Sequence, residues 1–258
     1  MTDIQSKATE LNRLHADTEL LTVVNVWDVI TAKTVSGVEG TKALATASHS
    51  IAASLGYEDG ENIPVDLMIE VVGRIAASTD LPVSADLEAG YGDPGETVRK
   101  AIGVGIVGAN LEDQMKPLSE AVAAVEAALK AGQAEGIDFA LNARTDAFLK
   151  AGDRPHGDVL ADAIARGKAF LDAGAPVVFV PGKVSESDVE AFVAAWGPQK
   201  LNLIGAPGSV PLARLQELGV ARVSYGPMSQ SVALMALQDL VVDIESGGAL
   251  PDNFRAMN

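Results

Sequence analysis

The chain has 258 residues, 48% of them hydrophobic, enough to bury a large core in a single domain. Nineteen basic against 35 acidic residues give a formal net charge of −16, which repels nucleic-acid phosphates and anionic lipid surfaces. With no cysteine anywhere, disulfides, thiolate zinc sites, iron–sulfur clusters and cysteine nucleophiles are all excluded.

The N-terminal stretch MTDIQSKATELNRLH mixes charges and has no apolar core. No later run approaches the roughly 18 apolar residues of a membrane span, so an unexported cytoplasmic protein is expected. Eight apolar or β-branched runs then follow in order: LTVVNVW at 21, KALATAS at 42, LPVSADLE at 81, GANLEDQ at 108, FALNART at 139, PVVFVPG at 176, LNLIGAP at 201 and ARVSYGP at 221. Ala-rich, helix-forming stretches separate them, and spacings of roughly 20 to 40 residues leave room for the crossover that parallel strands need. Eight such units predict a single (β/α)8 TIM-type barrel domain over residues 1–258.

Helix punctuation agrees with this reading. Asp93-Pro94-Gly95-Glu96 reads as an N-cap, a proline at the first helical position and an acid at the third, and Gly132, Gly174 and Gly219 read as helix stops. The stretch GVGIVG at 103 matches a dinucleotide-binding pattern literally. A helix is expected before it and a strand after it, the reverse of the required context, so it is set aside. His15 and His156 read as solvated, while His49 follows the second strand and is within reach of a site. The last helix, SQSVALMALQDLVVDIESGG, has an apolar face for either a partner subunit or the barrel itself.

Barrel active sites are built at the C-terminal ends of the strands. There the sequence places Asn25 and Asp28, then Ser48, His49 and Ser50, then Asp86 and Glu88, then Glu112, Asp113 and Gln114, then Asn142, Arg144 and Asp146. Alternation puts Ser84, Asp86 and Glu88 on one face, and Asn110 with Glu112 on one face. Carboxylates crowded at a barrel mouth repel one another unless protonated or neutralised, and a divalent cation neutralises them. Mg2+ suits such a cluster because it keeps several waters and takes only one or two direct carboxylates. Arg144 needs an anion, which Asp146, Glu112 or a ligand carboxylate would supply.

The segments NVWD at 25, ATASHSIAASLGYEDGE at 45, SADLEAGYGD at 84, GANLEDQ at 108, NARTDAFLKAG at 142, FVPG at 179 and GVARVSYGP at 219 together resemble the phosphoenolpyruvate mutase/isocitrate lyase superfamily. The resemblance implies an α/β barrel whose last helix is often exchanged between subunits, in a homodimer or homotetramer. It implies a small anionic 2-oxo acid ligand bound through Mg2+, with Mn2+ as an alternative, and enolate chemistry. Carried over residue by residue, it implies Asp86 as direct metal ligand, with Glu88 and Glu112 completing the metal set. Asp59 looks like a further carboxylate for metal-bound water, counted as catalytic with Arg144 and Lys116. Ala47, Ser48 and His49, with Trp27 and Asn202, look like substrate-binding residues.

The chain departs from the family where lyases carry a Lys-x-Cys-Gly-His signature. Here DQMKPLSEA leads directly into a helix, too short for a gating loop, and of the Lys and Asn or Thr in the longer loop of mutase and hydrolase members only Lys116 remains. Glu88 also stands where an aspartate is common. Three readings follow: a Mg2+-dependent lyase cleaving a C–C bond in, or decarboxylating, a small 2-oxo or 2-hydroxy dicarboxylate; a P–C mutase or phosphonopyruvate hydrolase; and a non-catalytic metabolite-binding paralogue.

Overall fold

The computed structural model describes residues 4–251 and Phe254. Among them, short strands β1 (Leu21–Val23), β2 (Asn25–Val26), β3 (Leu44–Thr46), β4 (Val83–Asp86), β5 (Gly108–Glu112), β6 (Ala140–Arg144), β7 (Val177–Val180), β8 (Leu201–Ile204) and β9 (Arg222–Ser224) form one parallel sheet. All eight predicted strands are present, and the first is split at Val24. Its first half pairs with β9 and its second half with β3, so the 21–26 segment bridges the two ends of the sheet and brings it round into the (β/α)8 barrel. Splitting one strand lets the chain change partner where the cylinder joins.

Helices alternate with the strands: α2 (Val29–Ser36), α3 (Ser48–Ser54), α4 (Val65–Ala77), α5 (Pro94–Gly103), α6 (Leu118–Ala134), α7 (His156–Asp172), α8 (Glu186–Trp196) and α9 (Leu212–Glu217). Asp93 caps α5 as expected, its Oδ1 accepting from Glu96 N at 3.0 Å with Pro94 in the first turn. The GVGIVG stretch indeed runs from the end of α5 into β5. Gly174 and Gly219 follow α7 and α9 with φ +103 and +83.

Gly132 is a correction. It lies inside α6, which continues to Ala134, and the left-handed turn falls at Gly136 instead. A Cβ on Gly132 would meet Phe139 Cβ at 2.6 Å, so this glycine serves close packing of α6 on the barrel. His15 is a second correction. It is 1% exposed, on the face of α1 (Ile4–Ala16) that buries Ala8 and Leu11, because positions 8, 11 and 15 fall on one side of a helix.

Leu11 of α1 packs against the start of β5, where a Cβ on Gly108 would lie 2.8 Å from Leu11 Cδ2 and 2.6 Å from the Ala140 carbonyl oxygen. Backbone cannot yield as a side-chain tip does, so Gly108→Ala is expected to cost about 1–3 kcal/mol through overpacking. Urea unfolding checks this; a change below about 0.5 kcal/mol would contradict the packing described.

The final helix α10 (Met228–Glu245) touches the barrel through its first turn and then leaves it. Gln230 is its buried residue, with Nε2 bonded to Ser50 O and Ser54 Oγ, and beyond it Val232, Leu234, Met235, Leu237, Val241, Val242 and Ile244 are exposed. Of the two coverings expected for its apolar residues, the chain's own barrel is therefore ruled out. Among the described residues no helix is long and apolar enough to cross a membrane.

Candidate active site

A cavity of about 620 Å3 opens at the C-terminal ends of the strands. Its polar end is formed by Ala47, Ser48 and His49 after β3, Asp59 in the loop beyond α3, Asp86 at the end of β4 and Arg144 at the end of β6. Leu149, Phe179, Val184, Ile204 and Met228 supply apolar surface to the rest of the lining.

Asp86 is anchored on one oxygen only. Its Oδ2 accepts from the Ser48 backbone N–H at 3.2 Å and from Ser48 Oγ at 3.0 Å, while its Oδ1 is buried without any hydrogen-bond partner. A carboxylate oxygen kept from water and left unpaired is costly unless a cation or donor meets it. Ser48 Oγ also lies 3.1 Å from Asp59 Oδ1, and His49 Nδ1 faces Asp59 Oδ2 at 3.7 Å.

Arg144 is held between two acids. Its Nη1 pairs with Glu112 Oε2 at 2.8 Å and its Nε with Asp146 Oδ1 at 2.8 Å, leaving Nη2 for another anion. Burial acts to weaken its charge, but Glu112 and Asp146 hold its pKa above the ordinary arginine value. One guanidinium cannot neutralise two acids in a buried site. Burial, reinforced by Asp146, Asp86 and Glu88, accordingly raises Glu112 to about 7 despite the Arg144 contact.

Glu88 departs from the alternation argument. The strand ends at Asp86, and Glu88 adopts φ +51 in the following loop, so the face it would share with Asp86 on a strand no longer applies. It is 3% exposed, accepts from the Glu61 backbone N–H and from Tyr91 Oη, the latter at 3.1 Å, and does not line the cavity. Burial, then Asp59 and Asp86, push it up to about 7. Glu61, Glu88, Tyr91, Gln114 and Met115 all have positive φ. Non-glycine strain of this kind gathers at functional loops, and here it gathers around the acidic rim.

The two raised carboxyls fix a pH dependence. Both have folded values near 7 against a reference of 4.5, so the folded state binds more protons than the unfolded state between those values. Their stabilising contribution is complete below about 4.5 and is lost as pH rises through 7. Buried His15, lowered to about 3, opposes this below about pH 6.5, but two carboxyls outweigh one imidazole, so the melting temperature of the metal-free chain is expected to fall from pH 5 to pH 8, and an added divalent cation to flatten that fall. A rise over the same interval would contradict the raised values of these two carboxyls and leave His15 as the dominant titrating group.

The sequence profile of the phosphoenolpyruvate phosphomutase family matches residues 11–251, nearly the whole chain and every strand of the barrel. The chain belongs to this family. A solved phosphonomutase-like protein of Burkholderia cenocepacia is 40% identical, with a TM-score of 0.85 over 91% of this chain and 98% of its own. An uncharacterised protein of Mycobacterium tuberculosis is 31% identical across 88% of this chain and 85% of its length. The oxaloacetate decarboxylase of Paraburkholderia xenovorans is 28% identical across 89% and 79%.

Within this family frame, Asp86, Asp59, Arg144, Ala47, Ser48 and His49 converge on one cavity, whereas other expected residues lie apart from it. Glu112 reaches the site through Arg144 and also lines a second depression, where exposed Lys116 sits. Only residues 113–117 separate β5 from α6, too short a segment to carry a lysine over the cavity. Trp27 lines a depression with Ile30, Ile51 and Leu55. Asn202 is wholly buried, one layer below Ile204 on the same face of β8, and so lies beneath the cavity. Asp28, from the strand-end inventory, caps α2.

Lys183 was missed by the sequence reading although it lines the cavity just beyond β7. The signal is local: the seventh strand runs out in VFVPGK, which places a lysine just past the strand end.

Among the described residues, no three His, Asp or Glu side chains are arranged to hold an ion directly. The donor chemistry fits a different mode: one buried, unpartnered carboxylate oxygen on Asp86, with Asp59, Glu88 and Glu112 acting at longer range. That suits a hard cation that retains most of its waters.

Proposed function

We propose that the chain is a Mg2+-dependent lyase acting on a small 2-oxo or 2-hydroxy dicarboxylate by C–C cleavage or decarboxylation. The observation that carries this reading is Asp86, whose buried Oδ1 lacks a partner at the polar end of a cavity it shares with Arg144. Asp86 would hold the cation directly and Asp59 would orient its waters, while Glu88 and Glu112 would add negative charge from behind the cavity wall. Bound there, Mg2+ or Mn2+ would supply Lewis-acid stabilisation of the negative charge that bond cleavage leaves on the substrate.

The chain's own groups do the rest. Ser48, with Ala47 and His49, forms the edge on which the substrate carboxylate sits, and Arg144 Nη2 grips its charge. Glu112 and Asp146 fix the guanidinium plane in advance, so little rotamer freedom is lost on binding. The apolar lining limits water around the developing charge. The swapped-helix expectation is consistent with α10, whose exposed apolar residues would pack on a second copy of the chain.

The deciding experiment adds Mg2+ to metal-stripped protein and follows pyruvate, glyoxylate or oxalate release from a panel of 2-oxo and 2-hydroxy dicarboxylates. Silence across the panel overturns the reading. The 40% identical phosphonomutase-like relative favours P–C chemistry as a second reading. Phosphorus NMR of phosphonopyruvate incubations tests it, and the 113–117 segment argues against it because five residues give little reach to close over a phosphoryl group.

A further inference from the structure

Arg222 lies inside the barrel, below its mouth. It is 0% exposed on β9; Nη1 donates to Ser84 Oγ at 3.2 Å, and Nε and Nη2 have no partner. Strand register places it beside Asn202, whose amide oxygen and nitrogen are also unpartnered. Burial, and then the charge on Arg222, lower the His15 pKa to about 3, so this neighbour is neutral and adds no second positive charge. Burial lowers Arg222 itself only to about 10, which leaves it charged at neutral pH.

A buried guanidinium without a counter-charge is strongly unfavourable. The acid whose charge reaches it is Asp86. Ser84 and Asp86 share one face of β4 two residues apart, so a guanidinium bonded to Ser84 sits roughly 7 Å beneath the Asp86 carboxylate. At that distance in a poorly screened interior the two charges still attract, yet no lone pair of Asp86 is taken up. Arg144, by contrast, directly engages Glu112 and Asp146.

We propose that Arg222 is a positioning residue, an internal counter-charge that balances Asp86 from below without bonding to it and so leaves Oδ1 open to a cation from the cavity. The meaning for catalysis rests on the reading of Asp86 as metal ligand; the coupling itself is tested on the metal-free chain. The first experiment compares thermal unfolding of metal-free wild type, Asp86→Asn, Arg222→Met and the double variant at neutral pH. Asp86→Asn strands Arg222 and is expected to lower the melting temperature by about 5 °C. The same change in the Arg222→Met background is expected to raise it, by relieving acid crowding. A rise in both backgrounds overturns the proposal. Should Arg222→Met not fold, the sign of the Asp86→Asn shift in the wild-type background decides alone.

The second experiment titrates Mn2+ by electron paramagnetic resonance. Losing the buried positive charge is expected to tighten Mn2+ about tenfold in Arg222→Met, while Arg222→Lys, which keeps the charge, stays within about twofold of wild type. Equal affinity in all three proteins, or Arg222→Lys behaving as Arg222→Met, overturns the role at the metal site. No Mn2+ binding by any of them, with the unfolding shifts as expected, instead sinks the metal reading of Asp86 and leaves the charge coupling in place.

Discussion

Replacing Asp86 with Asn is expected to reduce turnover by about three orders of magnitude. The substitution keeps an oxygen for the Ser48 backbone and hydroxyl contacts, so the loop after β3 stays in place. Among the described residues it removes the rim carboxylate whose second oxygen is buried and unpartnered. A metal contribution of about 4 kcal/mol to the barrier corresponds to that factor. The measurement is steady-state turnover of the active substrate at saturating Mg2+, alongside Mn2+ affinity. A loss under tenfold with unchanged affinity would place the cation elsewhere on the rim.

Replacing Arg144 with Met is expected to give the largest loss of stability, about 3–5 kcal/mol by urea unfolding. Its two ion pairs are buried, with Asp146 side chain 1% exposed and Glu112 13% exposed, and removing the shared cation leaves two acids uncompensated. Lys150 approaches Asp146 only at 3.5 Å from an exposed position and cannot stand in. Lysine at 144 is expected to rescue little, because a single ammonium does not offer the fork that meets Glu112 and Asp146 together. Adding Glu112→Gln to Arg144→Met is expected to recover part of the loss. If the two changes add independently, the ion pair is not what Arg144 contributes to stability.

These expectations use residues that differ in how visible they are in the sequence. The strands were legible because each is a short apolar run between helix-forming stretches, and eight of them at crossover spacing leave few architectures. Asp86 and Arg144 were legible because a polar residue ending such a run must lie at the barrel mouth. Glu88 was misplaced because alternation holds only while the strand lasts, and the strand stops two residues earlier. His15 was misread because one more polar residue on a helix already rich in them looks solvated until the buried face is known.

The sequence by itself determined the (β/α)8 barrel, the order of its units, the acidic rim and the family to which the chain belongs, because periodicity, caps and local motifs are written within a few residues of one another. Only the tertiary structure decided which rim residues share a cavity, that Lys116 and Trp27 stand outside it, that Lys183 lines it, and that Asn202 and Arg222 lie beneath it. The reason is physical. Neighbours across a barrel come from strands far apart in the chain, and strand stagger, not sequence position, sets how deep each side chain sits.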